Sequence, residues 1–426
     1  MVFSFIRALA CFPSRSADYG LLEAEEQVSW PIASFPQLPG PIVRLPPELV
    51  QLIVRCGDST MLATCSLVCA QWMAHARPLM FSRISISMAN ANRFARLFAS
   101  PGRATFGSYV REVELDELII GDFFISDVLP KFIVNFTHLD TLTLCAVPNW
   151  LPRAFQVVTH LELNFSLTKR LSEDPHRLTG FISLFPRLES LKLAQEYGAF
   201  LRFNTPSDIC RPPTSLRRVE LDNPLLLPWI TSGTPQPRIA ALRLDISSAD
   251  SLKALESLRC LSPSLRSLDL ILSDLEVGAS FLTKHHLDPN TQLHSLRIQA
   301  DHSQAAQILL TILSYIDTSS LSEISLDFAI PYLDSPVLTL LPWGALDAAL
   351  AALPALRRLM VVKVLVSPHG WRSRINQRTV LLDAVNCMPL CRDFGFGVGV
   401  APPESNSRPP SRAAGSRRYL TDLHAL

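Results

Sequence analysis

Residues 139–144 read LDTLTL, and their figure, apolar-x-x-apolar-x-apolar, returns along most of the chain. It opens as FSRISI at Phe81 and VREVEL at Val110, then continues as VTHLEL at Val158, LESLKL at Leu188 and LRRVEL at Leu216. IAALRL at Ile239, LRSLDL at Leu265, LHSLRI at Leu293, LSEISL at Leu321 and LRRLMV at Leu356 follow. Successive starts lie 29, 29, 19, 30, 28, 23, 26, 28, 28 and 35 residues apart. Alternation of period two predicts a short strand at each match. Leucine is common everywhere, but its return at one quasi-period marks stacked supersecondary units.

Between the predicted strands the apolar period lengthens to about 3.6. Phe94, Leu97 and Phe98 predict one helix, and Phe124, Val128 and Phe132 another. Leu252, Leu255 and Leu258 predict a third, Ile308, Leu309, Ile312 and Ile316 a fourth, and Leu346, Leu350 and Leu353 a fifth. Pro186, Pro263 and Pro354 stand just before the next strand, where a helix has to stop. A strand–loop–helix unit of this size has no core of its own, so the units must stack. The expected class is α/β: parallel strands on one curved face and helices on the outer one.

Upstream of the repeats lies IVRLPPELVQLIVRCGDSTMLATCSLVCAQWMAHARPLMFSRISI, residues 42–86. Pro46 and Pro47 suit a first helical turn, where a missing N–H costs nothing, and Glu48 suits its positive end. Leu49, Leu52 and Ile53 recur at helical spacing, and Gly57-Asp58-Ser59 punctuates the end. A second stripe runs through Leu62, Cys65, Val68, Cys69 and Trp72, with Pro78 expected to stop it. Such short helices do not bury two apolar faces alone, so this part must lean on something.

LPPEL, the apolar helix, CSLVCAQW and the closing RPLMF together resemble an F-box. The matching positions are Leu45, Pro46, Glu48, Leu49, Ile53, Leu62, Cys65, Val68, Cys69 and Trp72. In that family a short trio of helices binds the Skp-type linker subunit of an SCF ubiquitin ligase, and through it the cullin. The resemblance implies the same linker-binding role for these ten residues. One departure is RCGDSTM, which is more polar than the family's turn at that place. The repeats in turn resemble the leucine-rich-repeat domains that accompany many F-boxes. There the Asn or Cys expected past the last strand leucine is replaced, as by Val147, Ser166 and Pro224, so irregular turns and long insertions such as LRFNTPSDICRPPTS are expected. The whole is similar to the large families of fungal F-box proteins.

The expected organisation is therefore an N-terminal extension over 1–41, an F-box over 42–80, a leucine-rich-repeat-like solenoid over 81–400 and a tail over 401–426. The extension ends in the proline-rich SWPIASFPQLPGP, an extended linker. MVFSFIRALACF lacks a basic first region, carries Arg7 within its apolar run and is too short to span a bilayer. The tail is rich in proline, serine and arginine, the composition of a segment without a core. An apolar fraction of 48% with 18% charged residues fits a well-buried protein between these ends. Net charge is +1, so no bulk field recruits nucleic acid or an anionic membrane. Nine cysteines without CxxC pairs point to reduced thiols, hence to cytoplasm or nucleus.

Catalytic signatures are missing from the sequence: it has no nucleophile elbow, Walker loop or HExxH. GFGVGV at 395–400 lacks a phosphate-loop lysine and is expected to be a pliable last strand. His285, His286 and His294 lack a correctly spaced partner ligand, so no metal or cofactor is expected. Cys65 with Cys69, and Cys387 with Cys391, are expected as buried packing residues on helix faces. The arginine pairs at 217–218 and 357–358 are expected to be solvated. The implied role is a substrate-recognition subunit without a catalytic site, binding linker and protein target; a scaffold without a ubiquitination role is the alternative. The target is expected on the sheet face, where Glu112, Glu114, Asp116, Glu162, Glu220 and Asp222 lead a set of acids also containing Asp245, Asp269, Glu323 and Asp327. Against them stand Lys192, Arg218, Arg243, Arg297 and Arg358, so a basic target segment is expected.

Overall fold

The computed structural model describes residues 45–99, 106–115, 133, 135–145, 153–165, 175–195, 210–222, 224–246, 256–272, 287–288, 291–330, 342–366, 372–374 and 397–398. It is α/β, built on parallel strands, and divides into two compact units, 1–162 and 163–426.

The first unit opens with α1 (Pro47–Arg55), α2 (Ser59–Val68) and α3 (Ala70–Met80). Pro47 takes the first helical position and Glu48 the first turn. Asp58 caps α2, its Oδ1 accepting from Met61 N at 2.8 Å. The second apolar stripe is not one helix. Cys69 adopts extended backbone, φ −164° and ψ 173°, and separates α2 from α3. Pro78 does not stop the helix either; it lies in the last turn of α3, which runs on to Met80. Its missing N–H forgoes one helical bond, to the Ala74 carbonyl, and the helix ends two residues later. Only a small core forms within the three helices: Val50, Val54, Leu62, Cys65 and Ala76, with Trp72 and Met80 packed against it.

Then β1 (Arg83–Ile86), α4 (Met88–Ala99), β2 (Glu112–Leu115), β3 (Thr141–Leu144) and β4 (His160–Phe165) follow, the division of the chain falling inside β4. β1 pairs in parallel with β2, and β2 with β3. Phe106 links the layers, stacked on Phe81 at 4.8 Å and edge-on to Phe94 of α4 at 6.3 Å.

In the second unit β5 (Ser190–Gln195), β6 (Arg218–Leu221), β7 (Ala241–Ile246), β8 (Ser267–Leu272), β9 (Ser295–Asp301), β10 (Glu323–Ile330) and β11 (Arg358–Val366) pair in chain order, all parallel. Every one of the eleven motif matches thus carries a strand. The strand leucines point inward, as at Leu216, Val219 and Leu221, all fully buried. The anticipated helices near 94, 308 and 346 are α4, α8 (His302–Leu313) and α9 (Trp343–Ala351). α5 (Pro175–Ser183) and α6 (Leu227–Ser232) were not foreshadowed by an apolar stripe, and of the third anticipated helix the structure describes α7 (Leu258–Leu261). The helix expected over Phe124–Phe132 lies outside the described residues, apart from its surroundings at Ile133. So do residues 1–44 and 399–426, Val147, Ser166, His285, His286, Cys387 and Cys391. The expected last strand is present as Gly397–Val398, parallel to β11.

A single backbone device repeats along both units. The second motif residue's carbonyl accepts two N–H groups from the next unit, those of its second and third residues. Ser82 O takes Arg111 N and Glu112 N at 2.8 and 2.9 Å, and Arg111 O takes Asp140 N and Thr141 N, both at 2.9 Å. In the second unit Glu189, Arg217, Ala240, Arg266, His294 and Ser322 each accept such a pair. Serines preceding the first motif leucine add a second tie. Ser215 Oγ donates to Leu188 O at 2.7 Å, Ser264 Oγ to Ile239 O at 2.9 Å and Ser320 Oγ to Leu293 O at 3.0 Å. These bonds satisfy turn carbonyls in a chain without the regular Asn or Cys. At Pro224 the turn becomes a short 3-10 segment, Pro224–Leu226, leading into α6.

Candidate functional site

Two kinds of surface stand out: the outer side of the three N-terminal helices, and the strand face within each unit. On the three N-terminal helices, short length and excess apolar character leave side chains that the small core does not reach. Leu45, Leu49, Leu52, Met61, Leu67, Val68, Met73 and Leu79 are all exposed, Leu49 by 46% and both Leu52 and Val68 by 60%. Elsewhere among the described residues the exposed large apolar side chains are Val157 and Leu184. The helices partition their own residues by spacing. Val50 and Val54, one turn apart, face inward from α1, while Leu49 and Leu52 face out.

The ten residues singled out in this segment fall into two groups. Leu45, Pro46, Glu48, Leu49, Val68 and Cys69 are exposed. Ile53 and Trp72 are half-buried, and Trp72 packs on the core. Leu62 and Cys65 are buried and hold the helices together. The expectation of a buried Cys69 on one helix face with Cys65 is corrected: Cys65 is buried, whereas Cys69 is exposed between two helices.

The second surface is the strand face. Its acids are interleaved with bases rather than left as a field of one sign. In the first unit Arg83 lies 3.6 Å from Glu112 and 3.3 Å from Glu114, and Arg111 lies 3.8 Å from Asp140. Glu162 is half-buried on β4, and Asp116 lies outside the described residues. In the second unit, strand register brings Lys192, Glu220, Arg243, Asp269 and Arg297 side by side on five successive strands, with alternating sign. Asp222 follows β6, and its side chain is half-buried.

The ladder tightens toward β10. Arg243 Nε lies 3.7 Å from Asp269 Oδ2, and Arg297 Nη1 lies 3.6 Å from the same atom. Arg297 also donates from Nη2 and Nε to Asp327 Oδ2, at 2.6 and 3.1 Å. Asp327 is fully buried and takes a third bond from Ser325 Oγ at 2.9 Å. Asp269 is less well served, since its Oδ1 is buried without a hydrogen-bond partner. Burial pushes its carboxyl above the usual range, outweighing Arg297 and Arg243, which pull it down; Asp327 and Glu220 push it further up.

Sequence reasoning missed the alternation, because Lys192 through Arg297 are spread over 106 residues (297 − 192 + 1) and only pairing aligns them. The signal was the fifth motif residue, one before the last apolar position. Among the described residues no group of His, Cys, Asp and Glu could hold a metal, and no helix is long and apolar enough to cross a membrane.

No protein-family model matches the chain, and no curated protein does. Among solved structures, the crystal structure of a Bacteroides fragilis protein, a structural-genomics target, is 15% identical and covers 61% of this chain and 72% of that one. Its TM-score of 0.35 is too low to carry an argument about fold or function.

Proposed function

We propose that the chain is the substrate-recognition subunit of an SCF-type ubiquitin ligase. In this reading the three N-terminal helices are an F-box that docks a Skp-type linker and, through it, a cullin. The strands and helices after them are an irregular leucine-rich-repeat solenoid that holds a protein target. The chain performs no bond chemistry; it raises the local concentration of target at a partner's catalytic site.

The observation that carries the reading is the unfilled apolar surface of α1–α3. Seven large apolar side chains remain in water on the three helices, and Leu45 just before them is an eighth. A surface patch of that kind belongs to an interface. Its coincidence with Leu45, Pro46, Glu48, Leu49, Val68 and Cys69, the exposed part of the F-box-like set, supports a linker as the occupant.

The test is a pull-down with a purified Skp-type linker. Leu49→Asp and Val68→Asp place a charge on the outer face without touching the core, so the fold is retained. Each is expected to cut affinity by roughly 30- to 1,000-fold, the effect of losing about 2–4 kcal/mol at a buried anchor. Recovery of linker at the wild-type level with both variants rules the F-box reading out. Reconstitution with cullin and the remaining enzymes then reads ubiquitination, and linker binding without it makes the chain a scaffold.

A further inference from the structure

The doubled backbone bond aligns one residue from each repeat of the second unit along the edge where strands begin. Arg217 and Arg266 belong to that row; Arg218 follows in the next row, and Arg187 and Arg238 sit in the turn two positions earlier. Five exposed arginines therefore stand on four successive strands, β5 to β8, although sequence disperses them over 80 residues (266 − 187 + 1). Within these rows only Glu189 opposes them across those strands.

Two of these side chains reach the next repeat. The Arg217 guanidinium reaches the backbone oxygen of Arg238 in the next repeat at 3.4 Å, and that of Arg266 reaches Gln292 O and Oε1, both at 3.2 Å. These are bonds to neutral oxygens, which do not cancel the charge of the two guanidinium groups. On β6 and β8 the acids Glu220 and Asp269 lie deeper, where the ladder of Lys192, Glu220, Arg243, Asp269 and Arg297 matches them with bases. The excess at the edge of β5 to β8, five arginines against Glu189, is basic.

We propose that this edge binds an acidic, extended segment of a protein partner, an inference resting on the reading of the second unit as the part that holds a target. Neighbouring strands lie about 4.8 Å apart, so the arginines span about 14 Å. An extended chain presents side chains on one face every 6.6–6.8 Å or so, which sets two or three carboxylates over that span. The guanidinium fork matches a carboxylate with two parallel bonds. None of the row positions on β5 to β8 carries an aromatic ring, the stacking platform that single-stranded nucleic acid uses. A basic partner, which the sequence suggested, meets the wrong sign here.

The probe is a fluorescein-labelled ten-residue peptide of alternating Glu and Ser, titrated with the full chain and followed by anisotropy. A Lys–Ser peptide and a ten-nucleotide RNA of the same label are run beside it. The Glu–Ser peptide is expected to bind, and to weaken about tenfold as salt rises from about 50 to about 300 mM. The double variant Arg218→Gln with Arg238→Gln removes two exposed charges whose side chains make no bond among the described residues, and is expected to weaken binding about fivefold or more. Arg93→Gln with Arg96→Gln, two exposed arginines of α4 in the first unit, is expected to leave it unchanged. Absence of Glu–Ser binding, unchanged affinity in the arginine variant, or tighter binding of the Lys–Ser peptide overturns the proposal. Tighter binding of RNA overturns it in favour of nucleic acid. Linker pull-down with the same arginine variant is read separately, so failure here and failure of the F-box reading are told apart.

Discussion

Asp269 and Asp327 share an arginine and differ in everything else. Asp327 is sealed from solvent but accepts two bonds from Arg297 and one from Ser325, so its charge is matched where it is formed. Removing it leaves Arg297 the longer contact to Asp269, and breaking a buried pair from one side is costly. Asp327→Ala is expected to cost about 3 kcal/mol in chemical denaturation. Asp269→Asn is expected to be neutral or stabilising at pH 7, because desolvation already outweighs its two arginines. The folded-state pKa is raised, so the folded chain holds this proton more tightly than the unfolded one. Wild type is then expected to gain stability over Asp269→Asn as pH falls through that raised pKa toward the ordinary aspartate value of 3.8, and to level off below it. Denaturation midpoints of both proteins across that range check the sign. The serine ties are worth less each: Ser215→Ala or Ser264→Ala is expected to cost about 1 kcal/mol, the net value of one hydrogen bond.

At the scale of elements, α1 to α3 show how little apolar material a short helix needs to fold and how much it leaves over. Inward positions carry the fold and outward ones carry the interface. Val54→Asp, fully buried in α1, is expected to unfold the three helices, whereas Leu52→Asp is expected to leave their amide exchange intact while abolishing linker capture. Asp58→Ala removes the α2 cap and is expected to cost about 1 kcal/mol. The fragment 42–80 by itself is expected to give no cooperative thermal transition, since its core amounts to five buried side chains.

At the scale of the molecule, each strand of the second unit pairs with its chain neighbours, so stability is local and additive along the stack. Leu268→Ala in β8 is expected to cost about 2–5 kcal/mol. Amide protection is expected to fall in β7, β8 and β9 and to persist in β1 and β2, which hydrogen exchange resolved by peptide reads directly. Uniform loss of protection across all strands would contradict a stack of neighbour contacts. Solvation at the strand-start edge follows the same geometry. Arginines from separate repeats become one charged strip there.

The sequence by itself determined the strands. Period-two leucines at a quasi-regular spacing placed all eleven, because alternation along a strand is a local property that needs no partner to be visible. It also determined that residues 42–86 carry more apolar surface than short helices bury. Helix ends were less legible. Cys69 breaks the second stripe and Pro78 does not: the backbone is extended at Cys69, whereas Pro78 forgoes a single helical bond two residues before α3 ends. Which of Leu49, Leu62, Cys65 and Val68 face outward depended on where the small core formed, and helical spacing alone left both faces open. Only tertiary structure decided the charge pattern. Arg187, Arg217, Arg218, Arg238 and Arg266 are scattered in the chain, and so are Lys192, Glu220, Arg243, Asp269 and Arg297. Strand register, fixed by buried leucines, brings the first set together at an edge and interleaves the second, because electrostatics depends on distance in space and stacking sets that distance.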